Sequence, residues 1–163
     1  MKATARQRAR AEVRTASAEV GSFRVMGVLI GIGIVVSGYM AYTDLAGASL
    51  VCGGVGDCDT AHASAYARLL GVPVSLLGFV GYAVIGALLG WQSRSRGDAA
   101  YLARLAILAV VLAGAIFSIY LTYVEFFVIR AVCPWCVVSA ALMVALAVFA
   151  ALAVRRELAG NRI

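Results

Sequence analysis

The sequence predicts an all-α membrane protein: a bundle of four transmembrane helices, with a short outward-facing lid helix between the first and second. Three observations carry that expectation. Of 163 residues, 63% are hydrophobic and 13% charged, which is too apolar for a soluble domain of this length. Four stretches, 25–43, 69–93, 105–124 and 131–154, contain no Asp, Glu, Lys, Arg or His and run 19, 25, 20 and 24 residues. A helix needs roughly 20 apolar residues to cross about 30 Å of hydrocarbon, and an open sheet would leave backbone groups unpaired in lipid. Finally, the basic residues gather on alternate connections, as they do when a chain weaves across a membrane.

The elements follow in order. Residues 1–24 are a basic tail carrying Lys2, Arg6, Arg8, Arg10, Arg14 and Arg24, and the first helix comes next. Its basic flank and the small residues at 46–49 also suit a cleaved signal peptide. A secretory apolar core is usually about 7–15 residues, so 19 residues suit a retained helix better. The loop 44–68 holds Cys52 and Cys58. Its second part, 59–68, is alanine-rich and ten residues long, too short to span and suited to a lid helix over the mouth of the bundle. Helix 2 leads into a link with Arg94 and Arg96, closed by Arg104. Helix 3 ends near Arg130, helix 4 starts at 131, and the tail 155–163 carries Arg155, Arg156 and Arg162.

Twelve of the 14 basic residues thus lie on one side, leaving Arg68 and Arg130 on the other. The positive-inside bias puts both termini in the cytoplasm, and the loop 44–68 and the Arg130 turn outside the inner (plasma) membrane. It also accounts for the net charge of +6 without a nucleic-acid partner, the tail resting against anionic headgroups. The expected organisation is a tail (1–24), one membrane domain (25–154) and a second tail (155–163), with no internal repeat. Gly27-xxx-Gly31 and Gly86-xxx-Gly90 fit close helix packing, because small residues let backbones approach.

The chain's four cysteines fall into two pairs along the sequence, Cys52 with Cys58 and Cys133 with Cys136. The topology used no cysteine, yet it puts both pairs at the outer face, where disulfides form and persist. In Cys133-Pro134-Trp135-Cys136, proline suits the first helical position. Cys133 then sits near the N-cap and Cys136 about one turn in. A thiolate there feels the positive end of the helix dipole, and Arg130 pushes the same way. Such a dithiol can pass two electrons by thiol–disulfide exchange. A static disulfide or a zinc half-site is the alternative. Between Cys52 and Cys58, three glycines in five residues let the segment bend. The pair can close into a disulfide, or one cysteine can reach outward and the other inward, as a shuttle requires. A loop staple and a four-thiolate zinc site are the competing readings. The oxidising compartment argues against zinc, and no metal is expected. His62, the only histidine, can assist proton transfer near the thiols or serve as a plain interfacial polar residue.

The residues Cys52-x5-Cys58-x5-Ser64-x-Tyr66, Leu70-Gly71-Val72-Pro73-Val74-Ser75, Ser118-Ile119-Tyr120-Leu121, Glu125-Phe126-Phe127 and Cys133-Pro134-Trp135-Cys136 occur in series. Together they resemble the bacterial branch of the vitamin K epoxide reductase family, over roughly 25–154. The resemblance implies a four-helix bundle around a quinone and an oxidoreductase that is DsbB-like in function. Such an enzyme reoxidises a DsbA-like, thioredoxin-fold partner and passes the electrons to quinone, supporting disulfide formation. Carried over by position, Cys52 exchanges with the partner, Cys58 relays to Cys133, and Cys136 contacts the quinone. Ser64 lies in the covering segment as a catalytic and quinone-side residue, with Tyr66 and Tyr120 as further quinone contacts. Many bacterial relatives carry a fused thioredoxin-like domain; here the partner is expected to be a separate polypeptide. Thirteen Arg against one Lys suggests a GC-rich coding bias, which favours a bacterium and menaquinone over ubiquinone. Where vertebrate members carry a tyrosine and an asparagine near the ring, this chain has Ala140 and Ala67, a departure that suits simple quinone reduction better than epoxide reduction. The rival readings are a vitamin K epoxide or quinone reductase served by small dithiols, and a structural membrane subunit stapled by disulfides.

Overall fold

The computed structural model describes residues 2–52 and 57–160. The glycine-rich segment 53–56, to which the sequence assigns the loop's freedom to bend, and Arg162 lie outside the described residues. Helix α1 runs Lys2–Ala46, continuous with the basic tail. A short helix α2 (Cys58–Ala63) and a single 3-10 turn (Ala65–Ala67) follow, then a hairpin of β1 (Arg68–Leu69) and β2 (Val72–Pro73). Helices α3 (Val74–Arg94) and α4 (Asp98–Val124) come next, α4 prolonged by a π turn over Glu125–Ile129. Helix α5 (Pro134–Gly160) closes the chain. Four segments are long and apolar enough to cross a membrane: Gly21–Ala46, Val74–Arg94, Asp98–Ile129 and Pro134–Ala159. The chain is an all-α, multi-pass membrane bundle, and α2 stands where the sequence predicts the lid helix.

The charge-free stretch 69–93 is not helical throughout. Arg68 pairs with Pro73 and Leu69 with Val72, and Leu70 and Gly71 close the turn with φ of 52° and 86°. Two successive positive φ values are what a two-residue hairpin requires. Glycine takes that conformation freely, whereas Leu70 does not. Helix α3 therefore starts at Val74, after Pro73 has removed a donor from the preceding backbone.

The four long helices close a ring. Helix α1 packs on α3 and α5, and α4 packs on the same two. Their shared core holds Met26, Ile30, Ile85, Ile107, Val111 and Leu146, with Tyr82 fully buried at its upper edge. Outward stripes remain at helical spacing: Val28, Ile32 and Val35 on α1; Leu112, Ile116 and Ile119 on α4; Val144, Val148 and Leu152 on α5. Side chains three and four apart share a helix face, and so much apolar surface is a face for lipid, not water.

Close approach occurs at glycines other than Gly27 and Gly31, where an added Cβ would meet nothing within 4 Å. The Tyr82 ring occupies the space beside Gly33, and Met143 lies 3.0 Å from a Cβ placed on Gly114. Gly86 does meet its neighbour, Ile30, at 3.3 Å. Gly31 and Gly33 are two positions apart, enough on a helix to turn from lipid toward the core. Gly33→Leu should therefore destabilise the bundle in detergent by about 1–3 kcal/mol through overpacking. Gly27→Leu should stay within about 0.5 kcal/mol of wild type. Equal losses in the two variants, read by denaturant titration, would contradict this packing.

Candidate functional site

The cysteine end of the bundle is built by loop-to-helix ties. Pro134 opens α5, so Cys133 sits just before the first helical residue, as the sequence predicts. The Trp135 indole N–H donates to the Val51 carbonyl at 3.1 Å, and the Val51 N–H donates to the Tyr39 hydroxyl at 3.3 Å. The rings of Tyr39 and Trp135 pack at 5.6 Å between centroids. Both polar groups of the residue before Cys52 are thus held by aromatic side chains. Farther along the loop, the Asp57 N–H donates to the Val132 carbonyl at 3.1 Å. The residues preceding Cys58 and Cys133 are therefore joined backbone to backbone. Asp57 also caps α2, its carboxylate accepting from the Thr60 N–H at 3.1 Å and the Thr60 hydroxyl at 2.7 Å.

Cys52 and Cys58 form a disulfide with 6.4 Å between Cα atoms, and Cys133 and Cys136 are free thiols. Cys58 and Cys133 are both buried, in one cluster with Val36, Met40, Leu50, Ala61 and Ala131, and Cys52 and Cys136 pack against it. The loop thus brings all four cysteines to one place. A four-thiolate set is not assembled, because two of the sulfurs are bonded to each other.

His62 completes the arrangement. Its Nε2 lies 3.9 Å from the Cys133 sulfur and 3.9 Å from the Cys136 sulfur, and its Nδ1 lies 2.7 Å from Asp44 Oδ1 at the last turn of α1. The Ser75 hydroxyl donates to the other Asp44 oxygen. Burial works against a charge on His62, yet hydrogen bonds to Cys133 and Asp44, and the negative charge of both, hold its pKa up at about 9. The Cys133 thiol is held down at about 5, first by the hydrogen bond from Cys136, with burial opposing and His62 adding to the drop. The two form a thiolate–imidazolium pair. The cation beside the dithiol is thus His62; Arg130 is exposed on a left-handed turn with φ of 56°. The three donor atoms of His62, Cys133 and Cys136 lie within 4.8 Å of one another, a spacing that suits a metal ion as well as thiol chemistry. Glu125, buried in the π turn, accepts from the Cys133 N–H at 3.4 Å.

Beneath this end lies a cavity of about 310 Å³, walled by apolar residues such as Leu77, Phe117, Leu121 and Met143. Asp44, His62, Ser75 and Glu125 line its cysteine end, with Cys136 in the wall, and Ser37, Tyr82, Ser118, Thr122 and Ser139 also line it. An apolar chamber with a few convergent polar groups is the usual form of a small-molecule site, and the volume lies at the small end of that range.

A match to the Vitamin K epoxide reductase family spans residues 24–151. The chain belongs to that family. Members are membrane oxidoreductases that link disulfide chemistry to quinone or vitamin K, and the chamber suits such a ring: it is apolar, and a free thiol and polar donors edge it. When bound there, a quinone supplies a two-electron, two-proton acceptor.

Ser64 and Tyr66 line the chamber. The Ser64 hydroxyl is committed to the end of α2, donating to the Ala61 carbonyl at 2.7 Å. Tyr120 is not among the lining residues; it is exposed and stacks on Phe117 at 6.4 Å. Helix periodicity explains the difference, since Phe117, Ser118, Leu121 and Thr122 face inward and Tyr120 falls on the opposite side. Ala67 and Ala140 both line the chamber, so the two departures from the vertebrate pattern present only methyl groups there. Ser75 and Glu125 belong to the motifs that carry the resemblance but had no role assigned from the sequence, and Asp44 entered only as the start of the loop. Asp44 and Glu125 had one signal: each is a carboxylate at the edge of a span, where an unpaired charge is costly.

In the reduced protein, thiolate ultraviolet absorbance should rise through a step near pH 5. The step should be absent after oxidation and in Cys133→Ser. A single rise near the ordinary thiol value of about 8.5 would contradict the thiolate–imidazolium pair.

Proposed function

We propose that the protein reoxidises a separate DsbA-like, thioredoxin-fold protein outside the cytoplasm and passes the electrons to a membrane quinone, menaquinone ahead of ubiquinone. The observation that carries this is the backbone bond from Asp57 to Val132, with Cys58 and Cys133 buried in one cluster. A loop staple has no need to be tied to a dithiol, whereas a relay does.

A partner thiolate attacks Cys52, making a mixed disulfide and releasing the Cys58 thiolate. The partner's second thiolate displaces Cys52, leaving the partner oxidised and the loop pair reduced. Cys58 then attacks Cys133 of the oxidised C-x-x-C and frees Cys136. Cys52 attacks Cys58 in turn, which restores the loop disulfide and releases Cys133. Each attack exchanges one S–S bond for another, so two electrons move inward without an external oxidant. The end state, Cys52–Cys58 closed with Cys133 and Cys136 reduced, matches the pairing described above. From there the dithiol, with Cys136 in the chamber wall, delivers the pair to the quinone. Ser64 serves by ending the lid helix beside the chamber, and Tyr66 borders the ring. The positive-inside bias supports cytoplasmic termini and outward cysteines.

Purified protein should reduce a quinone anaerobically when supplied with a reduced DsbA-like partner. Cys136→Ala should fall to background with every reductant. Cys52→Ala should lose turnover with the protein partner and keep it with a small dithiol. If Cys52→Ala retains full turnover with the partner, the loop relay is wrong; if wild type turns over only small dithiols, the small-dithiol reductase replaces this reading. A membrane-impermeant thiol reagent should reach reduced Cys52 in intact spheroplasts, and labelling only after lysis would reverse the orientation.

A further inference from the structure

His62 is in contact with both sulfurs of the C-x-x-C and with the chamber below them. Its other nitrogen is committed. The Nδ1–H donates to Asp44 Oδ1 at 2.7 Å, and Asp44 is itself fixed by the Ser75 hydroxyl on its second oxygen. A carboxylate on Nδ1 sets the tautomer and leaves Nε2 as the position where a proton comes and goes. The ring also rides on the relay. Cys58 opens α2 and His62 lies four residues later, so one helix face presents both toward the C-x-x-C.

We propose that His62, held by Asp44, is a catalytic proton carrier of the dithiol, taking the proton of Cys133 and handing it to the reduced acceptor. The inference rests on the quinone-linked reading above. Before transfer, Cys133 is a thiolate, His62 is an imidazolium, and the Cys136 thiol donates to the Cys133 sulfur. Transfer forms the Cys133–Cys136 bond and breaks the Cys136 S–H bond. The two sulfurs give up two electrons. One proton leaves Cys136 and one leaves His62 Nε2, which together convert a quinone to a quinol. His62 ends neutral and is reprotonated when the relay next reduces the pair. The charged and titratable groups facing His62 are Asp44 of α1, Glu125 of the π turn, Cys133 and Cys136, and only Asp44 holds the ring from its far side.

The decisive measurement needs no quinone: thiolate absorbance of the reduced, full-length protein against pH, in wild type, His62→Gln and Asp44→Asn. Loss of the imidazolium should move the Cys133 step up by two units or more, toward about 8.5, and Asp44→Asn should move it the same way by less. Quinone turnover of His62→Gln at pH 7 should drop about 10²–10⁴-fold, the range for a lost general acid. Added imidazole should restore part of it in His62→Gly. Circular dichroism and the intact Cys52–Cys58 disulfide certify folding of each variant, and Asp44→Asn carries the test if His62→Gln fails that check. A step that stays near pH 5 with turnover within twofold of wild type overturns the proposal. A shifted step in a protein that reduces no quinone upholds the His62–Cys133 pair and overturns the quinone-linked reading, and with it the proton hand-over.

Discussion

Lipid accepts no hydrogen bonds, and the rest of the molecule follows from that. Every backbone group inside the hydrocarbon must find its partner within the chain, so the four spans are helices that pair their own backbone along their length. Irregular backbone is confined to the ends, and most of it is at the cysteine end: the hairpin, the 3-10 turn, the π turn and the left-handed Arg130. A six-residue helix such as α2 is too short to persist alone. It is held by its disulfide, by the Asp57 cap and by the backbone bond to Val132. The loop is thus ordered by ties to the bundle, and the same ties bring its cysteines to the dithiol.

Charge is the second organising factor. A histidine, a carboxylate and a thiolate would each resist burial alone. Together they balance: Asp44 answers one side of the ring and Cys133 the other, and the hydrogen bonds fix which atoms carry the charge. The balance depends on redox state, since a disulfide at Cys133 removes the negative partner from one side. This is the electrostatic basis of the coupling between electron and proton movement proposed above.

Much of this was legible in the chain. Runs without charge located all four spans, with ends off by up to seven residues (105 against Asp98), and proline at 134 placed Cys133 at the mouth of α5. The cysteine spacing and the surrounding residues pointed to the family that the match over 24–151 identifies. What escaped was contact across distance in sequence. Nothing local tells that Asp44 meets His62, 18 residues on, or that Ser75 meets Asp44, 31 residues back. The early start given to helix 2 failed for a local reason, because apolar residues at 69–73 serve a hairpin as well as a helix. Tyr120 belongs to a helix whose period turns it away from the chamber, and its neighbours at 118 and 121 show how small a shift decides that.

Tyr82 has a consequence beyond packing. Its ring fills the gap beside Gly33 and its hydroxyl donates to the Ser139 carbonyl at 2.8 Å, bracing α3 against both α1 and α5. Below it the core is sealed by Ile85, Ile107, Val111 and Leu146. The brace is a floor, and a floor is an insulator. On the relay proposed above, protons that accompany the electrons enter and leave by the mouth of the chamber, at the end that holds the cysteines. Turnover by that relay would leave the ion gradient across the membrane undischarged.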